Sequence, residues 1–230
     1  MTHRAALLDR AGHSLLVKIC CISSVREAAL ALEAGADALG LVSAMPSGPG
    51  VIPDERIADI VAWIGARAAT VLLTSRLTAD GLGEQLRAIR PSVLQLVDTL
   101  PDAELAAVRA RHPDVAVMPV VHVRDANSVT EAVHLGARAD AILLDSGNPA
   151  AQVRELGGTG RVHDWQLSHA ICRAASAPVF LAGGLRAENV AAAVRAVRPA
   201  GVDVCSGVRR NGRLDRALLS AFISAARDRA

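Results

Sequence analysis

Short runs of consecutive apolar residues, each of strand length, alternate along the chain with longer Ala-rich segments whose apolar positions recur every three or four residues. Eight such runs predict strands over 17–22, 38–42, 70–73, 93–97, 115–121, 141–144, 179–182 and 202–205. Their near-continuous apolar character is that of strands buried on both faces, as in a parallel sheet covered by helices. The helical period is visible after the first strand, where Val25, Ala28, Ala29 and Leu32 fall on one face. Gly35 and Gly136 stand just before the second and sixth strands, where a helix C-cap is expected. Strands joined through helices run parallel with right-handed crossovers, and eight such units can close on themselves. A doubly wound open sheet is the competing architecture, but no G-x-G-x-x-G follows the first strand, which runs into Ile19-Cys20-Cys21-Ile22-Ser23-Ser24. The pattern therefore predicts an α/β chain forming a single (β/α)8 TIM barrel over 1–230, with a short N-terminal extension over 1–16. No linker or low-complexity stretch divides it.

Composition narrows the picture. Hydrophobic residues make up 51% of the chain while Tyr is absent and aromatics are 2%, so the core must be packed from Ala, Val, Leu and Ile. The 25 basic and 23 acidic residues leave a formal charge of +2, and the basic ones are scattered, which argues against nucleic acid as a partner. Cys20, Cys21, Cys172 and Cys205 show no C-x-x-C spacing, so neither a disulfide framework nor a metal or redox motif is expected. The histidines do not pair at metal-ligand spacing, and no metal site is predicted. The longest apolar runs are strand-sized, too short for a membrane span, and 1–14 lacks the long apolar stretch of a secretory signal. A cytoplasmic, reduced protein is the expectation. The outer helix faces carry no readable oligomer interface.

Barrels place their chemistry at the C-terminal ends of the strands. Two reactive side chains stand there: Cys20 near the end of the first strand and Asp145 directly after the sixth. If Cys20 faces inward, alternation turns Lys18 inward too and sends Cys21 toward the helices; a cationic neighbour would favour the thiolate. A strand cysteine is equally read as a small buried hydrophobe. Asp145, opening Asp145-Ser146-Gly147-Asn148-Pro149, is equally read as a turn former. Gly183 and Gly184 follow the seventh strand, and Ser206 and Gly207 the eighth, where glycine lets backbone N–H groups approach a phosphate. Tight turns alone are the alternative. A further cluster, Gly157-Gly158-Thr159-Gly160, lies in the long loop over 145–163, as a lid or as a plain surface loop.

Taken in order, Val17-Lys18-Ile19-Cys20, Leu143-Leu144-Asp145-Ser146, Gly157-Gly158-Thr159-Gly160 with Asp164-Trp165, Leu181-Ala182-Gly183-Gly184-Leu185 with Asn189-Val190, and Val202-Asp203-Val204 with Ser206-Gly207-Val208 resemble the motifs of the phosphoribosylanthranilate isomerases, barrels of tryptophan biosynthesis. The resemblance runs from the first strand to the last. It implies an Amadori-type aldose–ketose isomerisation of N-(5-phosphoribosyl)anthranilate to the carboxyphenylamino-deoxyribulose phosphate, with no cofactor. Asp145 would be the general acid at the ring oxygen and Cys20 the general base at C2, and the two must hold opposite protonation states near neutral pH. Gly183, Gly184, Ser206 and Gly207 would hold the phosphate, while Lys18, Gly158, Thr159 and Gly160 would line the substrate. The partner is then a small phosphorylated sugar-amine.

The departures are specific. Cys21 stands where the family has Gly, and Cys205 where it has Ser. Gln95-Leu96-Val97-Asp98 replaces Gln-Leu-His-Gly, and Met45-Pro46-Ser47-Gly48-Pro49-Gly50-Val51 lacks the family's Arg for the anthranilate carboxylate. A carboxylate without Arg loses a bidentate, charge-assisted contact. Arg76 or Arg124 from neighbouring loops could replace it. The other readings are a paralogue acting on a different phosphoribosyl amine and a non-catalytic phosphosugar-binding barrel.

Overall fold

A computed structural model describes residues 14–46, 48–146 and 164–228. Eight parallel strands, β1 (Leu16–Ile19), β2 (Ala38–Val42), β3 (Ala69–Thr74), β4 (Val93–Leu96), β5 (Ala116–His122), β6 (Ile142–Asp145), β7 (Val179–Leu181) and β8 (Gly201–Val204), pair in sequence order and close into a barrel. Closure is made by β8 against β1, in register from Leu16↔Gly201 to Ile19↔Val204. The crossovers carry α1 (Val25–Glu33), α2 (Asp54–Ile64), α3 (Ala79–Ile89), α4 (Asp102–Arg111), α5 (Asn127–Gly136), α6 (Trp165–Ala174) and α7 (Ala187–Val197), and α8 (Arg216–Arg227) follows β8. A single turn of 3₁₀ helix (Ser206–Val208) and a small hairpin, β9 (Arg209–Arg210) with β10 (Arg213–Leu214), lie between β8 and α8.

Local chemistry sets where helices begin. Ser24, Thr78, Asp164 and Asp215 each accept from a backbone N–H in the first turn of the helix that follows. These contacts satisfy donors the helix itself leaves open. Strand alternation then divides the apolar residues into two packed layers. Val17, Ile19, Leu39, Leu41, Leu72 and Val202 face the helices. Leu16, Val71, Val93, Met118, Leu143 and Phe180 fill the barrel axis. Gly201 is required by that filling, since a Cβ there would run into the Phe180 ring.

The elements follow the apolar pattern, with three corrections. β1 ends at Ile19 rather than Ile22, because Cys21 adopts a left-handed conformation (φ +64°) that a strand cannot continue. Gly136 is the last residue of α5 and not its cap; its missing side chain leaves room for Ile142. Gly35 does sit past the end of α1 at positive φ. Asp145 closes β6 rather than following it. No helix among the described residues is long and apolar enough to cross a membrane.

Candidate active site

One basin opens at the C-terminal mouth of the barrel. Cys20 and Asp145 both line it, as do Gly183, Gly184 and Ser206. Gln95, Leu143 and Val120 form part of its floor, and Met45, Gly48 and Pro49 form its wall on the β2 side. Cys20 and Asp145 are 5% and 8% exposed, so neither is an ordinary surface side chain. Beneath the basin Lys18 is fully buried, with its ammonium 2.9 Å from Asp203 Oδ1. Burial opposes the charge on Lys18, but Asp203 and the neighbouring thiols outweigh it and hold the pKa above its ordinary value. Lys18 thus stays charged, as a buried lysine does only when paired. It was expected among the substrate contacts; instead it stands behind the basin wall, out of contact with the open space.

Gly40 on β2 explains how thiol and ammonium fit together. A Cβ at this position would lie 2.9 Å from Cys20 Sγ and 3.2 Å from Lys18 Nζ. Both groups therefore occupy volume that any larger residue would claim. The main chain of Cys20 is fixed separately, its N–H donating to the Val204 carbonyl at 2.8 Å.

Behind the β1 mouth lies a clamp that sequence reasoning missed. Arg209 grips Glu27 through both guanidinium nitrogens and donates to the carbonyls of Cys21 (2.6 Å) and Cys20 (3.3 Å). Glu27 also accepts from the Ser23 and Leu214 N–H groups. Burial would raise the Glu27 pKa, but Arg209 and these N–H donors prevail and hold it below the ordinary carboxylate value. The only trace of this in the sequence is the spacing Ser24-x-x-Glu27, a capping-box pattern.

Of the phosphate candidates at the β7 and β8 ends, Gly183, Gly184 and Ser206 line the basin and Gly207 does not. Gly183 and Gly184 have φ of +84° and +62°, values open to glycine without strain. Asn189 holds their loop, donating to the Gly184 carbonyl at 3.0 Å and accepting from the Arg186 N–H at 2.9 Å. A Cβ on Gly207 would fall onto the Leu185 carbonyl, so the two loops meet only because that residue is glycine.

Some expectations are redirected. Cys21 does not point to the helices: its left-handed backbone returns the side chain to the basin, against Cys205. Arg76 is engaged with Asp54 and the Gly81 carbonyl, Arg124 is exposed, and neither lines the basin. Gly158, Thr159 and Gly160 lie outside the described residues. Among the described residues no three His, Cys, Asp or Glu side chains are disposed to hold a metal ion.

The family model of N-(5'phosphoribosyl)anthranilate (PRA) isomerase matches residues 17–225, from β1 into α8. The chain belongs to this family. An N-(5'-phosphoribosyl)anthranilate isomerase of Haloferax volcanii is 38% identical over 213 residues, covering 92% of each chain. The phosphoribosyl anthranilate isomerase structure from Thermotoga maritima superposes with a TM-score of 0.80 at 28% identity, over 92% of this chain and 98% of that one. A third relative, a phosphoribosyl anthranilate isomerase solved in complex with reduced 1-(o-carboxyphenylamino)-1-deoxyribulose 5-phosphate, gives a TM-score of 0.77 at 26% identity with the same coverage. Beside Cys20, this chain sets Cys21 and Cys205 on the lining of the basin.

Proposed function

We propose that the protein is an aldose–ketose isomerase that converts N-(5'-phosphoribosyl)anthranilate to 1-(o-carboxyphenylamino)-1-deoxyribulose 5-phosphate. The observation that carries this reading is the position of Cys20 and Asp145 on one basin, inside a chain matched to the PRA isomerase family over residues 17–225. The glycines at 183, 184 and 207, with Ser206, receive the phosphate through backbone N–H groups and a hydroxyl. With that end anchored, the ribose lies across the barrel mouth between the β1 and β6 ends.

Asp145 donates a proton to the ring oxygen as the C1–O bond breaks and the amine lone pair forms the C=N bond. Cys20, as general base, then takes the proton from C2, and the resulting enolamine passes to the aminoketose. Acid and base act on opposite sides of one sugar, so neither needs to move between steps. Lys18, kept cationic by Asp203, is a positioning residue that faces the thiol across the space left by Gly40. The rearrangement is internal to the substrate and leaves no redox equivalents to balance.

The test is turnover by the purified protein of N-(5'-phosphoribosyl)anthranilate beside a phosphoribosyl amine that lacks the carboxylate. Product from the anthranilate compound at the higher kcat/KM supports the assignment. Turnover of only the second amine would assign a different aglycone, in keeping with the loop over 43–53 that carries no Arg. Phosphosugar binding without turnover of either would leave a non-catalytic barrel.

A further inference from the structure

Cys21 and Cys205 stand at the ends of adjacent strands, β1 and β8, whose backbones are joined by the Cys20 N–H to Val204 carbonyl bond. Neighbouring strands lie about 4.7–4.9 Å apart, inside the Cα separation of roughly 4.4–6.8 Å that disulfides span. The two sulfurs are 2.6 Å apart. Both residues line the open basin, and Cys205 is only part-buried, so a small molecule that enters the site reaches them. The Cys21 backbone is left-handed at φ +64°, a conformation uncommon for a non-glycine residue, and its thiol lies against Cys205. Gly50 lies against Cys21, with an ideal Cβ 2.5 Å from the Cys21 Cβ, so the β2 loop blocks other directions for the side chain.

We propose that Cys21 and Cys205 form a modification site: a dithiol that a low-molecular-weight disulfide oxidises to an internal disulfide beside the catalytic thiol. The chemistry divides between the two sulfurs. The sulfur contact with Cys21 lowers the pKa of the Cys205 thiol, burial works against this, and the Arg209 guanidinium adds to the lowering. Contacts with the Cys20 and Cys205 sulfurs, together with burial, push the Cys21 thiol up, so it keeps its proton. Cys205 as thiolate attacks one sulfur of the small disulfide and expels one small thiol, leaving a mixed disulfide. Cys21 then gives up its proton, attacks the Cys205 sulfur and releases the second small thiol. Two protein thiols become one disulfide, and one small disulfide becomes two thiols. The new bond ties the residue after Cys20 to the residue before Ser206, so it constrains the two strand ends that carry them.

The site is read by mass, so it stands or falls independently of the isomerase assignment. The reduced full-length protein is treated with oxidised glutathione, digested without reduction and analysed by mass spectrometry. The expected result is loss of two hydrogens from the intact protein, a linked peptide pair joining Cys21 to Cys205, and reversal by dithiothreitol. The same pair is expected in Cys20→Ala, while Cys205→Ser forms no internal link. Turnover of the unsubstituted protein falls in proportion to the linked fraction and returns on reduction. Glutathione adducts without an internal link, or a link that uses Cys20, would overturn the proposal.

Discussion

Asp203→Asn isolates the charge that supports the site. Lys18 is wholly buried with its ammonium 2.9 Å from Asp203 Oδ1, so removing the carboxylate charge leaves an ammonium facing an apolar barrel interior. Breaking a buried pair from one side costs about 3–5 kcal/mol. For a chain of this size, at roughly 2–4 °C per kcal/mol, the midpoint of thermal unfolding should fall by about 6–20 °C. The pH dependence should change sign as well. In the native protein the Lys18 pKa is raised, so its contribution is complete below the unfolded value of about 10.4 and is lost only as pH climbs beyond it. In the variant, burial is opposed only weakly and the folded pKa drops below the unfolded one, so stability rises with pH toward about 10.4. Urea denaturation followed by circular dichroism at pH 7 and pH 9.5 measures both effects, and the gap between the two proteins should be smaller at the higher pH. A double variant, Lys18→Met with Asp203→Leu, should recover much of the loss. An Asp203→Asn protein within about 1 kcal/mol of the native one at pH 7 would refute the reasoning, because the pair would then be contributing nothing that water does not.

Three further outcomes follow from named contacts. Gly40→Ala should lower kcat more than it raises KM and cost about 1–3 kcal/mol of stability, since its methyl group displaces the Cys20 thiol; steady-state kinetics with a melt check this. Gly207→Ala should weaken inhibition by inorganic phosphate and raise KM with a smaller effect on kcat, because it parts the β7 and β8 loops; phosphate titration reads it. Burial holds the His122 pKa below its ordinary value, so the unfolded chain binds the extra proton and stability falls as pH drops below about 6.5. His122→Gln should flatten that decline between pH 7 and pH 5 in denaturation curves.

The barrel was legible because its signal is repeated: eight apolar runs, each followed by a helical period, leave one closed parallel arrangement. Strand ends were less so. Cys20-Cys21-Ile22 reads as a continuation of β1, and only the left-handed turn at Cys21 ends it. That one dihedral also decides where the Cys21 thiol points, which alternation assigned to the wrong face. Cys20 and Asp145 could be placed at strand ends from order alone. Their common basin depends on the radius of the closed barrel, a property of the whole sheet. The Glu27–Arg209 clamp and the Lys18–Asp203 pair join residues 182 and 185 positions apart. No local pattern carries such pairings. The departures from the family pattern at positions 21 and 205 gave no sign in the sequence that they meet at the junction of β1 and β8.

The central claim is that one thiol and one carboxyl group divide the proton transfers on a single sugar phosphate. Its most direct measurement is kcat/KM for N-(5'-phosphoribosyl)anthranilate in Cys20→Ala and Asp145→Asn, with thermal unfolding recorded beside each. Each variant should lose about 10²–10⁴-fold in rate while melting close to the unsubstituted protein. Either variant keeping its rate within about tenfold of the parent would contradict the account.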